Sequence, residues 1–216
     1  WFERADNLVY DRLLQLKPQP STDDLLIVTI DDESIARLGR WPWDRAVHAR
    51  IMDRLAEAEP RAVLYDVLFL EPANGDAELA AAAKRLGPTL PLAMEVPGRG
   101  GEALSILPPL PSLAATRGGV GHVNLSPDSD GIVRRVHLAE GTAEHLVPHV
   151  AAITACRTAR RACELPTRGQ GKALVRRAPY LIPFAGGRQH FQTLPAYALA
   201  QGEVDPAFVR GRTVLV

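Results

Sequence analysis

The sequence has no long hydrophobic run, no excess of charge of either sign and few cysteines. Its longest apolar runs, such as 25–30 and 67–70, are far shorter than the ~20 residues of a membrane-spanning helix. The 216 residues carry 25 basic and 25 acidic side chains, so the formal net charge is zero. That balance excludes the strong positive charge typical of nucleic-acid-binding domains, and we expect no nucleic-acid partner.

Cysteine is scarce, with Cys156 and Cys163 the only two in the chain. On one continuous helix their spacing corresponds to about 10 Å of rise. That separation exceeds the reach of a disulfide bond. We therefore expect two buried free thiols. The cysteines do not indicate whether the protein resides in an oxidising or a reducing compartment.

What is present is the composition of an ordinary globular chain, with 46% hydrophobic and 23% charged residues. At this length one domain over residues 1–216 is the simplest organisation. Apolar periodicity predicts helices at 1–16, 46–58 and 76–86, and strands at 25–31, 62–69 and 89–96. The second half is predicted to hold a hairpin of 120–125 and 132–138, a helix at 144–161, and strands at 180–184 and 213–216. This order predicts an α/β fold, with three α/β/α layers around a mixed, mostly parallel sheet plus an antiparallel hairpin.

Two carboxylates follow the first two predicted strands. Asp31 lies at the end of the first strand and Asp66 late in the second. Ligands of open α/β sheets gather outside the carboxyl ends of the strands, so this pair could hold a divalent cation or a cationic ligand, or act as acid and base. The alternative is that one or both aspartates only cap the following turn or form structural ion pairs.

Two further patterns suggest metal ligands. Asp128 and Asp130 precede Gly131 as in the start of a calcium loop, although the acidic residue at the twelfth loop position is missing and a tight turn also explains them. His145 and His149 have the i, i+4 spacing of zinc ligands without a third ligand nearby.

Two more segments carry candidate binding residues. Arg134 and Arg135 could bind an anion, but a strand places adjacent side chains on opposite faces, so at most one lines a given site. Trp41-Pro42-Trp43 is too hydrophobic for an ordinary solvent-exposed loop. It either folds over the sheet edge as a structural clamp or contacts a ligand in a cleft.

Several of these segments together resemble a known sensory family. The most specific blocks are Trp41-Pro42-Trp43-Asp44-Arg45 and Asp128-Ser129-Asp130-Gly131-Ile132-Val133-Arg134-Arg135, and the likeness runs from Asp6 onward. They resemble the CHASE family of the second type, named for cyclase- and histidine-kinase-associated sensing outside the cell.

The resemblance implies a bacterial extracytoplasmic domain, in the periplasm or at the cell exterior, that belongs to a membrane protein. Its output would be a cytoplasmic adenylyl or diguanylyl cyclase, histidine kinase or serine/threonine kinase. Residues 1–17 would form a helix leading from a membrane helix, a continuation would follow Val216, and homodimers would form through membrane-proximal helices. The family brings no settled ligand, so no binding residue is carried over from it.

Three functions therefore stand as hypotheses. The first is a sensor, not itself an enzyme, whose signal is a small molecule, an ion or a protein partner. Its binding residues are expected around the strand ends: Asp31, Trp41, Arg45, Asp66, Asn124 and Arg134. The second is a metal-dependent hydrolase that uses Asp31 and Asp66, for which a divalent cation is the one cofactor the residues suggest. The third is a purely structural dimerisation module.

Overall fold

Short apolar strands alternate with helices along most of the chain. The computed structural model describes residues 2–16, 20–95, 105–142, 145–162, 175–187 and 190–216. Its helices are α1 Phe2–Leu16, α2 Asp32–Leu38, α3 Arg45–Glu57, α4 Asp76–Leu86, α5 Pro111–Ala114, α6 Val150–Thr158, α7 Ala196–Gln201 and α8 Pro206–Val209. Its strands are β1 Leu25–Thr29, β2 Ala62–Leu64, β3 Leu90–Glu95, β4 Ser105–Leu107, β5 Val120–His122, β6 Arg135–Gly141, β7 Leu146–Pro148, β8 Val175–Leu181, β9 Gln192–Pro195 and β10 Thr213–Leu215.

The strands form three sheets that two isolated bridges connect. A four-stranded parallel sheet has the order β2-β10-β1-β9, a second has the order β4-β3-β5, and an antiparallel third has the order β7-β6-β8. Parallel bridges from Leu64 to Thr89 and from His122 to His149 connect them in sequence. A mixed, mostly parallel sheet with an antiparallel part is therefore present, and the predicted α/β class is confirmed.

Successive side chains of a strand point to opposite faces of the sheet. In the four-stranded sheet, helices pack against the side chains of both faces. Leu26 of β1 and Val214 of β10 point into the main core, where they join Ile51 and Leu55 of α3. The opposite face meets α6, where the hydroxyl groups of Thr158 and Thr213 lie 2.8 Å apart. Full burial of one such Leu or Ile contributes roughly 1.5–3 kcal/mol, so this two-sided packing supplies much of the stability.

The predicted hairpin is placed wrongly along the chain. Strand β5 pairs in parallel with β3, whereas β6 pairs with β7 and β8, so the segments 120–125 and 132–138 do not form a ladder with each other. The polar residues between them still form a turn, in which the amide of Gly131 donates to the carbonyl of Asp128. Strand β6 forms its antiparallel hairpin with β7, one strand later, and β3 and β4 also pair antiparallel.

Other boundaries also differ from the predictions. The helix predicted at 144–161 begins only at Val150, because 146–148 form β7. The strand predicted at 62–69 is paired only over 62–64, and β9 and the short helices α2, α5, α7 and α8 were not predicted. Helix α4 matches its predicted bounds, and α1 matches residues 2–16 of its prediction. Residues 1, 17, 96 and 144 of the predicted elements lie outside the described residues.

Candidate functional site

A cleft opens at the edge of the sheet where β2 and β5 end. Strands β2, β3 and β5 run in the same direction, so their carboxyl ends meet at one edge, where α/β sheets bind ligands. The cleft has a volume of ≈ 380 Å³. We call it the aromatic cleft, and its lining residues are Trp41, Pro42, Trp43, Arg45, His48, Asp66, Val67, Leu68 and Val123.

The two tryptophans of the cleft have different roles. Trp43 is buried, and its indole N–H donates to the carbonyl of Gly39 at 2.8 Å, which fixes the segment between α2 and α3. Trp41 remains 38% exposed, with its ring centroid 5.3 Å from that of Trp43. The clamp expected from this segment is thus Trp43, while Trp41 is the ring that a molecule in the cleft would meet.

The floor of the cleft is a buried His48–Tyr65 pair. The Nδ1 atom of His48 lies 2.9 Å from the hydroxyl of Tyr65, and the imidazole also contacts the rings of Trp41 and Phe69. Burial, together with the charge of Arg45, lowers the pKa of His48 to about 4, and burial raises the pKa of Tyr65. Both groups are therefore neutral at neutral pH, and they form an uncharged floor.

Arg45 and Asp66 are the charged residues of the lining. The guanidinium of Arg45 donates to Asp76 and to the carbonyl of Glu71, both at 2.9 Å, and it lies over the ring of Phe69. The carboxylate of Asp66 has no hydrogen-bonding or ion-pair partner among the described residues, and partial burial raises its pKa. Within the part of the chain that is described, the cleft thus holds one neutralised cation and one unpaired anion.

Asp31 does not line this cleft. Its carboxylate caps α2, accepting from the Ser34 amide at 2.8 Å and from the Thr29 hydroxyl at 3.2 Å. Burial raises the pKa of Asp31, but these hydrogen bonds outweigh burial and lower the pKa below its usual value. Turn capping, the alternative considered from the sequence, is therefore the role that the structure gives this residue.

Asn124 belongs to a separate buried polar cluster. Its side-chain amide donates to Glu140 at 3.1 Å, and Arg176 donates to the same fully buried carboxylate at 3.0 Å. Nearby, the imidazole centroids of His122 and His149 are 4.9 Å apart. Burial and the neighbouring histidines lower the pKa of His122 to about 3, so this ring is neutral at neutral pH.

Arg134 lies in a third place, at the junction of α1 with the body of the domain. It makes two hydrogen bonds to Asp11 of α1, at 2.9 and 2.8 Å, and two to Asp130, at 3.0 and 2.8 Å. A further bond of 3.1 Å reaches Asp128. We call these four residues the Arg134 cluster. Hydrogen bonds from Arg134 lower the pKa of Asp11, and they lower the pKa of Asp130 to about 2.

The suggested metal ligands have other partners or stand apart. Asp128 and Asp130 contact Arg134, which neutralises the charge that a calcium loop would need. His149 caps α6 through its Nδ1 atom, whereas His145 is exposed. Among the described residues, no three or more His, Cys, Asp or Glu side chains are arranged to hold a metal ion.

Of the six expected binding residues, the structure brings Trp41, Arg45 and Asp66 together. His48, Tyr65 and the α1 contact of Arg134 were not predicted. The three-residue spacing from Arg45, just before the predicted helix, to His48 inside it was a local signal for the first of these. The Asp11–Arg134 pair joins residues 123 positions apart, and no local pattern indicates it.

Cys156 differs from its prediction. It takes part in a disulfide bond rather than carrying a free thiol. Helix α6 ends at Thr158, so the assumption of a continuous helix through 163 was wrong. Cys163 itself lies outside the described residues. In the described part of the chain, no helix combines the length and apolarity needed to cross a bilayer.

The family comparison defines the class of protein to which this fold and cleft belong. The CHASE2 domain model matches residues 1–216, the whole chain, and this family consists of sensory extracellular domains of signalling receptors. The chain belongs to the CHASE2 family, which confirms the resemblance found in its motifs. No curated protein and no solved structure matches the chain significantly.

Proposed function

We propose that this chain is the extracytoplasmic input domain of a bacterial transmembrane receptor, and that the aromatic cleft binds its signal. The cleft carries the proposal, because it combines an open aromatic ring, Trp41, with an unpaired carboxylate, Asp66, at the ligand-binding edge of the sheet. A volume of ≈ 380 Å³ lies in the range of pockets for small molecules, roughly 300–1,000 Å³. In the full-length protein, the bound state would regulate a cytoplasmic cyclase or kinase.

The disulfide bond supports an extracytoplasmic location. Disulfides persist in the periplasm and at the cell surface, and they are rare in the reducing cytosol. Cys156 is disulfide-bonded, and the CHASE2 family consists of extracellular sensory domains. Both observations favour placement of this domain outside the cytoplasmic membrane.

The Arg134 cluster supports the proposal that a conformational change passes from the body of the domain to the membrane through α1. It joins α1 to the body of the domain, and the Tyr10 hydroxyl adds a hydrogen bond to the carbonyl of Ile182 at 2.6 Å. Only a ligand with different affinities for two states can drive a switch. In our proposal the two states differ in how α1 sits on the Arg134 cluster.

A structural dimerisation module is the second candidate, and one observation favours it. Helix α1 exposes large apolar side chains at Leu8, Val9, Leu13 and Leu16, which are 56–77% exposed. Val9, Leu13 and Leu16 have the alternating four- and three-residue spacing of a helix-pairing seam. We propose that the receptor is a homodimer that pairs through this stripe, so dimerisation and sensing are compatible.

A metal-dependent hydrolase is the weaker alternative. That mechanism needs both Asp31 and Asp66, but Asp31 is hydrogen-bonded as the cap of α2. No observation in the described part of the chain favours hydrolysis over binding, and we include no divalent cation in the proposed mechanism.

A thermal-shift screen of this 216-residue chain tests the proposal. The panel contains cationic, neutral and anionic small molecules and divalent metal salts, each applied to wild type, Trp41→Ala and Leu107→Ala. Leu107 is exposed on β4 and serves as the control. We expect at least one compound to stabilise wild type and Leu107→Ala but not Trp41→Ala. If no compound distinguishes Trp41→Ala from the other two proteins, the cleft is not the sensory site.

A further inference from the structure

The charge balance of the aromatic cleft indicates which chemical class of signal it accepts. We infer that the cleft binds an amphiphilic organic amine, with the ammonium group beside Asp66 and the apolar part of the molecule against Trp41, Val67 and Leu68. This inference rests on the proposed sensory function and specifies its ligand.

The first step is the unpaired carboxylate. Asp66 follows β2, its main-chain amide is held by the carbonyl of Val216 at 2.8 Å, and its side chain is exposed at the cleft. The carboxylate has no ion-pair or hydrogen-bonding partner among the described residues. A fixed backbone with a free carboxylate leaves this anion available to a cationic ligand.

The second step excludes an anionic ligand. Arg45 is the cationic residue of the lining, and its guanidinium already binds Asp76 and the carbonyl of Glu71, with only 15% of the side chain exposed. His48 is uncharged at neutral pH, because burial lowers its pKa to about 4. An incoming carboxylate or phosphate would meet Asp66 without an available cation to offset the repulsion.

The third step concerns the rest of the ligand. Beside Asp66, the lining side chains of the cleft are mainly aromatic or aliphatic, among them Trp41, Leu68 and Val123. Indole rings attract ammonium groups through their electron-rich faces and also bury apolar surface. A fully hydrated metal cation would gain little from such walls, whereas an amine with an apolar body matches both the charge and the walls.

Calorimetric titration of the chain with three probes of similar shape tests this inference. The probes are phenethylamine, which is cationic, phenethyl alcohol, which is neutral, and phenylacetate, which is anionic. We expect phenethylamine to bind wild type at least about tenfold more tightly than either other probe, the ratio that corresponds to one well-placed charge interaction.

Variants at one position identify the group responsible. Asp66→Asn should weaken phenethylamine binding about tenfold and leave phenethyl alcohol unchanged, whereas Asp66→Glu should retain the preference for the amine. Asp32→Asn removes an exposed carboxylate at the start of α2 and should change nothing. Circular dichroism of each variant checks that the fold is retained.

Other outcomes distinguish failure of the amine inference from failure of the proposed sensory function. If phenethyl alcohol or phenylacetate binds as tightly as the amine and Trp41→Ala abolishes that binding, the inference about charge is wrong and the sensory cleft stands. Equal amine affinity in wild type and Asp66→Asn likewise overturns the inference. If no probe binds, the amine inference is wrong, and the broader screen decides whether the cleft binds any ligand.

Discussion

Single side chains in the aromatic cleft divide into those that hold its walls and those that face its opening. Trp43 in the wall and the His48–Tyr65 pair in the floor are buried and hydrogen-bonded, so they maintain the shape of the cleft. Trp41 and Asp66 are exposed at the opening. Substitution of a wall residue should therefore reduce stability, whereas substitution at the opening should reduce binding and leave the fold unchanged.

Tyr65→Phe tests the role of the cleft floor. Removal of the hydroxyl leaves the buried Nδ1 atom of His48 without its partner at 2.9 Å. An orphaned buried polar group costs about 1–3 kcal/mol, so we expect a loss of that size in the free energy of unfolding by urea. Tyr180→Phe, at a half-exposed position, is the matched control and should change stability little. A loss of similar size in both variants would contradict this role for the hydroxyl.

Buried neutral histidines predict how stability depends on pH. His48 and His122 have folded-state pKa values of about 4 and about 3, below the value of 6.5 for an exposed histidine. The unfolded chain binds protons first, so stability is complete above pH 6.5 and falls as the pH decreases through these folded-state values. Each group contributes a slope of up to about 1.4 kcal/mol per pH unit.

Urea unfolding measured at intervals between pH 7 and 4 checks this dependence. Asp11 and Asp130 contribute mainly in a lower window, since their pKa values are depressed from 3.8 and their stabilisation is lost only as the pH falls below that value. His48→Asn should flatten the upper part of the curve, whereas His145→Asn, at an exposed site, should not. A flat wild-type curve over this range would contradict neutral burial of these histidines.

At the scale of elements, the attachment of α1 depends on the Arg134 cluster. Arg134 is almost fully buried with three carboxylates around it, whereas its neighbour Arg135 is only partly buried and approaches Asp128 only to 3.7 Å. Adjacent residues of the same type thus differ in whether they hold α1. This contrast provides a matched pair of variants for one helix.

Arg134→Ala should release α1, because the three carboxylates around Arg134 lose their shared cation and are left close together. We expect the amides of α1 to exchange with deuterium at least about tenfold faster than in wild type, the change that corresponds to one lost interaction of moderate strength. Arg135→Ala should leave this exchange rate unchanged. Asp11→Ala tests the same contact from the helix side and keeps Arg134 paired with Asp130. Equal protection of α1 in all variants would show that other contacts hold the helix.

Prediction of the elements from sequence succeeded where local signals decide. Helix α4 was located correctly because an acidic first turn and the Gly87 cap mark its ends. The partners of β6 were wrong, since the polar turn at 126–131 favours a local hairpin while the register depends on β7 and β8. Residue type and strand ends placed Trp41, Arg45 and Asp66 among the expected binding residues, and the structure brings these three together in the cleft. Arg134 was grouped with them but lies apart from the cleft, beside Asp11, a partner 123 positions away that no local pattern indicates.

At the scale of the whole molecule, α1 has two chemically different faces. One face contacts the Arg134 cluster through Asp11, and the other exposes Val9, Leu13 and Leu16. A helix held on one side by ion pairs and open on the other can transmit a change in the domain to a second copy. Signalling across the membrane would then depend on how two α1 helices pair.

Leu13→Glu tests the proposed pairing of α1. Charges placed in an apolar helix seam repel each other across the interface, so we expect the dimer dissociation constant to rise at least about tenfold in sedimentation experiments. Leu107→Glu introduces the same charge on exposed β4 and should leave the association unchanged. Equal association of both variants would place the dimer contact elsewhere on the molecule.

The most direct test of the central claim is the output activity of the full-length receptor in membrane vesicles. It is measured with and without the compounds that stabilise the chain through Trp41. We predict that wild type and Arg135→Ala respond, that Trp41→Ala does not respond because binding is lost, and that Asp11→Ala binds the compound without responding. A receptor in which Trp41→Ala responds like wild type would contradict sensing by the aromatic cleft, and a full response of Asp11→Ala would contradict transmission through α1.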